Sequence, residues 1–124
     1  MTFQFDTMLE RVNSLDGPVL TMYLETNPSD EKWKIRLKNG LKRTGEYIEA
    51  SQKEQFPLFE KIAKEVYQHT LDLQRQMKNG LICFATERSI IMQPIQPSVE
   101  TSFFWGQQGE MEQLKTLFER YPRT

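Results

Sequence analysis

Two residue patterns lie over the same stretch of chain between Asp30 and Ala50, and together they leave few folds open. Trp33, Leu37, Leu41, Thr44 and Ile48 recur at the three- and four-residue spacing that gathers side chains on one side of an α-helix. The same stretch holds six of the sixteen Lys and Arg residues, and no Asp or Glu interrupts them between Lys32 and Arg43. Lys34, Lys38 and Lys42 follow at i, i+4 along one flank, while Lys32, Arg36 and Arg43 line the side opposite the apolar stripe. Such a helix has to bury one side against a core and keep the other in water. Like charges at this spacing repel by a few tenths of a kcal/mol per pair, so an anion bound along them would relieve the strain.

The neighbouring segments supply the core. Asp6 is placed to cap a short helix with Met8, Leu9 and Val12 on one face, ending near Asp16-Gly17-Pro18. Val19 to Glu25 reads as a strand with Leu20, Met22 and Leu24 pointing one way and Val19, Thr21, Tyr23 and Glu25 the other, the second face fit to be covered by a helix. Asn27-Pro28-Ser29-Asp30 is a turn in which Ser29 or Asp30 caps the basic helix. A second long helix starts between a Ser51/Glu54 capping box and Pro57, buries Leu58, Ile62, Val66, His69 and Leu73 with Phe59, Ala63 and Tyr67 beside them, and stops at Lys78-Asn79-Gly80. Leu81 to Thr86 is a continuous apolar run that suits the sheet interior. Glu87-Arg88-Ser89 connects it to Ile90-Ile91-Met92-Gln93 as an antiparallel hairpin, with Pro94 and Pro97 marking an edge or the end of pairing. Thr101 to Trp105 is a further short strand. After the turn at Gly106-Gln107-Gln108-Gly109, Met111, Leu114, Leu117 and Phe118 form a closing helix that stops at Tyr121-Pro122. This order predicts an α+β domain: a small mixed sheet of about four strands packed against two long helices, with short helices at each end.

The chain of 124 residues, 38% hydrophobic and 27% charged, is sized and composed for a single folded domain spanning 1–124. No apolar run approaches the roughly 20 residues that span a bilayer, and Met1 to Glu10 lacks the pattern of a signal peptide, so a cytoplasmic location is expected. A lone Cys83 in an apolar run agrees with a reducing compartment. Catalytic chemistry is poorly provided for. His69 and Cys83 are read as packed residues and not as a nucleophilic pair, and there is no metal-ligand spacing, so neither metal nor cofactor is expected. Tyr23 and Glu25, at the end of the first strand, occupy a position where functional groups often lie, should the chain be an enzyme after all.

Since the overall formal charge is only −1, the positive field is concentrated on one element, which points to a polyanionic partner. Arginine can grip phosphate bidentately through Arg36 and Arg43, with the lysines acting as point charges. Phe103, Phe104 and Trp105 are three consecutive aromatics in an alternating strand, so they cannot all face one core; an outward one would stack on unpaired bases or dock against another domain.

Val19-Leu20-Thr21-Met22-Tyr23-Leu24-Glu25-Thr26-Asn27-Pro28, two helices, then Asn79-Gly80-Leu81-Ile82-Cys83-Phe84 and a segment ending Gln93-Pro94-Ile95 follow one another in an order that resembles the first domain of the archaeo-eukaryotic peptide-chain release factor family, its bacterial branch most of all. The likeness spans about Val19 to Leu117. It implies a domain of a longer protein that enters the ribosomal decoding site, while a separate middle domain carries the Gly-Gly-Gln loop that promotes peptidyl-tRNA hydrolysis; this chain has no Gly-Gly-Gln. Classical members place Asn-Ile-Lys-Ser between the two long helices and Tyr-x-Cys-x-x-x-Phe near the last strand. Here those places hold Ala50-Ser51-Gln52-Lys53 and Phe103-Phe104-Trp105-Gly106-Gln107-Gln108-Gly109. Stop-codon reading is therefore not expected, and ribosome rescue or quality control, as proposed for bacterial relatives, is. The expected contacts are Lys32, Lys34, Arg36, Lys38, Lys42, Arg43 and Lys53 with the ribosome or structured RNA, and Phe103, Phe104 and Trp105 with bases or with further domains of the parent chain. The competing expectation is an interaction domain that binds protein alone through the aromatic strand and the closing helix, with the basic helix as solvated surface.

Overall fold

The computed structural model describes residues 5–120. The expected stop at Tyr121-Pro122 and the Phe118 side chain lie outside the described residues. Helix α1 (Phe5–Asn13) leads into strand β1 (Val19–Glu25); the long helices α2 (Trp33–Ser51) and α3 (Phe56–Asp72) follow, then β2 (Gly80–Ala85), β3 (Ile90–Ile95), β4 (Ser102–Gly106) and α4 (Glu112–Arg120). The domain is α+β, as its pattern of elements predicts.

The four strands lie in the order β3-β2-β1-β4. Every pairing is antiparallel, where a mixed sheet was expected. The reason is the number of helices in the crossover. One helix between β1 and β2 would return the chain to the starting end of β1 and make a parallel pair; the antiparallel α2–α3 hairpin crosses the sheet twice, so Gly80 enters opposite Glu25.

Alternation along β1 separates two cores. Leu20, Met22 and Leu24 join Leu81, Cys83 and Ala85 beneath the inner faces of α2 and α3. On the opposite side of the sheet Val19, Tyr23, Ile82 and Phe84 pack with Met8 and Val12 of α1 and Leu114 and Leu117 of α4. The second face of β1 is thus covered by helices, and β2 is buried on both faces.

α2 buries Trp33, Leu37, Leu41, Gly45 and Ile48; Thr44, expected in that stripe, is only half buried. Gly45 takes its place because α2 leans toward α3, and a β-carbon there would lie 3.2 Å from the Phe59 ring. α3 is rotated from its expected setting. It buries Phe59, Ile62, Val66 and Thr70, whereas Leu58 and Leu73 are half buried and His69 is exposed. None of the three expected caps forms as drawn: Asp6 lies inside the first turn of α1, Ser51 donates back to the Tyr47 carbonyl, and Asp30 accepts from the Lys32 amide ahead of α2, while Pro57 does fill the first turn of α3. The β2–β3 turn manages without Gly or Asn because the Thr86 hydroxyl accepts from the amides of both Arg88 and Ser89.

Candidate nucleic-acid interface

The inward stripe of α2 sets which of its side chains reach solvent. Lys32, Lys38, Lys42 and Arg43 are exposed, Lys34 and Arg36 are half buried, and Lys53 is exposed in the 3₁₀ turn Lys53–Gln55 beyond the C-terminal end of the helix. The helix of 19 residues is about 28 Å long, so the cations form a line and not a cluster.

Their surroundings differ. The Arg36 guanidinium donates to Glu25 at 3.1 Å and to Asp30 at 3.3 Å, which ties the start of α2 to the end of β1. Arg36 is therefore a partly neutralised strut and the weakest member of the expected phosphate-contacting set. Lys34 holds its ammonium 5.7 Å from the centre of the Trp33 ring, a cation–π contact worth about 0.5–1 kcal/mol that pre-positions the charge. Lys32, Lys38, Lys42, Arg43 and Lys53 form no ion pair among the described residues.

The two rows also diverge. Lys38 and Lys42 stand on the rim of a cleft of about 740 Å³ between α2 and α3, floored by Leu41, Gly45, Phe59 and Ala63. Lys64 of α3 shares that rim, and Glu46, Glu49 and Glu60 stand on it too, so the cationic stretch ends at an acidic boundary in the C-terminal half of α2. Arg43 lies on the other side of the helix, with Asn39 and Ile35, above β4. Spacing foretold the row of Lys34, Lys38 and Lys42, but Arg36 and Arg43, expected opposite the apolar stripe, border a hollow against Phe103 of β4, and Glu60 arrives from another helix.

The three aromatics of β4 divide as strand alternation requires. Phe103 and Trp105 pack into the core beneath α2 and α3, and Phe104, 41% exposed, points to the opposite face. Phe103 lies against Gly40, where any β-carbon would collide with its ring. Trp105 donates from Nε1 to the Gln55 side-chain oxygen at 2.7 Å and meets the Phe59 ring edge-on at 5.3 Å. Of the three, Phe104 alone is free to meet a base or a partner. The sequence carried no sign of the roles of Gln55 and Gly40, which depend on contacts with Trp105 and Phe103 of a strand distant in the chain.

The remaining candidates are each held in packing or hydrogen bonds. Burial pushes the Cys83 thiol up to about 12, and the side chain is wholly enclosed beneath the long helices. His69 is on the surface, its Nδ1 3.0 Å from the Glu65 carbonyl, so it is not the packed residue expected, and it is not paired with Cys83. Tyr23 is fully buried and donates to the Glu110 carbonyl, and desolvation raises its pKa. Glu25 is engaged by Arg36 and by the Ser98 hydroxyl. Among the described residues no group of three His, Cys, Asp or Glu is arranged to hold a metal, and no helix is long and apolar enough to cross a membrane.

No family model matches the chain, so the likeness to the release-factor domain rests on the residues quoted above. A protein of Bacillus subtilis (strain 168) named "Uncharacterized protein YocB" is 34% identical over 113 residues, covering 86% of this chain. The chain spans 43% of that protein's length.

Proposed function

We propose that this domain is a non-catalytic module that docks on structured RNA through α2, with the ribosome as the partner in rescue or quality control that the release-factor resemblance suggests. The observation that supports the reading is the run of cations Lys32, Lys34, Lys38, Lys42 and Arg43 along α2, none of which forms an ion pair among the described residues although acids stand near both ends of the helix. Side chains held this way neutralise phosphates and release counterions, which makes affinity fall steeply with salt. Arg36 serves the site indirectly, by fixing the start of the helix to β1. Lys53 extends the line beyond the helix end.

The test is a titration of the domain with ribosomes and with a structured RNA. The triple variant Lys38→Glu, Lys42→Glu, Arg43→Glu is expected to bind at least about 100-fold more weakly at low salt, with an unchanged circular dichroism spectrum and melting point within a few degrees. Binding unaffected by the reversal would sink the reading and leave the protein-only alternative.

A further inference from the structure

The two edges of the sheet are built differently. The Thr26 amide donates to the Asn79 carbonyl and the Thr86 amide to the Ser89 carbonyl. Carried along the registers, the alternation of antiparallel pairs turns the N–H and C=O of Met92 and position 94 outward on the β3 edge, and those of Phe103 and Trp105 outward on the β4 edge. On β3 that outward position is Pro94, which has no N–H, and its carbonyl already accepts from the Gln93 side chain at 2.9 Å. This edge is blunted at Pro94, although Ile90 and Met92 also turn outward there. β4, with the sequence Ser-Phe-Phe-Trp-Gly, carries neither proline nor charge, and the outward amides of Phe103 and Trp105 have no partner among the described residues.

A hollow lies on each side of that open edge. One, of about 400 Å³, is on the α2 side beside Ile35, Asn39, Arg43 and Phe103. The other, of about 490 Å³, is on the α4 side beside Ser102, Phe104 and Glu112, with Glu100 and Glu110 also in its wall. Each holds an exposed apolar side chain, Ile35 at 61% and Phe104 at 41%. Their charges are opposite: a cation unpaired among the described residues above the strand and carboxylates below it.

An added strand sends alternate side chains to the two faces of a sheet, so one strand would fill both hollows at once. We infer that the β4 edge is a docking site for an extended segment of a partner protein, carrying carboxylates at alternate positions toward Arg43 and apolar or basic side chains at the intervening positions toward Phe104 and Glu112. A second copy of this chain is the wrong occupant. A two-fold pairing of β4 with itself would set Arg43 against Arg43 and Glu112 against Glu112 of the other copy. The inference shares Arg43 with the proposed RNA contacts but is separable from them, because an RNA complex formed through α2 can leave the Phe103 and Trp105 amides exchanging freely.

The probe is the capped peptide Glu-Val-Glu-Lys-Glu-Val-Glu-Lys. It is expected to bind saturably and to slow hydrogen exchange at the Phe103 and Trp105 amides while leaving Met92 unchanged. A peptide of the same composition with its residues in blocks is expected to bind about tenfold more weakly, as is the original peptide to Arg43→Glu. That variant should regain binding to the peptide whose glutamates are replaced by lysine. No saturable binding, equal binding of the block peptide, or self-association of the chain that protects the same two amides would overturn the inference.

Discussion

α2 and α3 cover the same face of the same sheet, yet only one of them has a surface that the fold does not explain. Inward they are equivalent. Leu37 and Ile48 of α2 and Ile62 and Val66 of α3 are all fully buried in one cluster. Outward, α3 mixes Glu60, Lys61, Lys64, Glu65 and Asp72, as a solvated helix face does, and Lys61 is paired with Glu87 at 3.4 Å. α2 presents cations without an acid from Lys32 to Arg43. A helix needs no such run to stay folded, and pays for it in repulsion. The inner stripe is explained by packing, while the outer charge pattern of α2 is not, and the proposed docking on RNA would account for it.

The largest effects should ignore this difference. Leu37→Ala and Ile62→Ala each remove a fully buried side chain and are expected to cost about 2–5 kcal/mol in chemical denaturation. If one were neutral, the two inner faces would not be equivalent and the comparison would fail at its base. Surface charge separates the helices. Lys61→Glu should leave RNA affinity within about twofold, whereas Lys42→Glu on α2 should weaken it by about tenfold; equal losses would mean that total charge, and not the line on α2, governs binding.

Smaller effects refine the comparison further. Arg36→Ala is expected to cost at most about 1 kcal/mol of stability, because its ion pairs with Glu25 and Asp30 are partly solvated, and to change RNA affinity less than Arg43→Ala does. A pH response should appear only in alkaline solution and should come from the floor beneath both helices. The Cys83 thiol has its pKa raised by burial from 9.0 to about 12, so the folded state keeps its proton where the unfolded chain loses it. The stability this represents is present below about pH 9 and is lost as pH rises toward 12, and a Cys83→Ala variant should show a flatter profile over that range in urea melts.

Much of this architecture was legible in the residues. The stripe of α2, the alternation of β1 and the buried run of β2 follow from periodicity alone, and the two cores follow from them. α3 was misread because two apolar rows lie side by side, and spacing could not choose Phe59 and Thr70 over Leu58 and His69; the tilt toward Gly45 chose. Sheet polarity depended on counting two helices in the crossover. In the candidate site, the cations were visible as a pattern, but their environments were not: Arg36 is bridged by Glu25 from another element, and Lys38 and Lys42 share a cleft with Glu60 of α3. A linear reading registers charge and period, and misses the partners that folding brings across.

The most direct test is the slope of log affinity against log salt for RNA binding. With about five phosphates neutralised, affinity should fall by roughly two to three orders of magnitude between about 50 and 200 mM salt, and the slope should shrink by about 0.7–0.9 for each cation of α2 replaced by glutamine. An affinity that holds constant across that range, or a slope unchanged after Lys38→Gln and Lys42→Gln, would contradict the account.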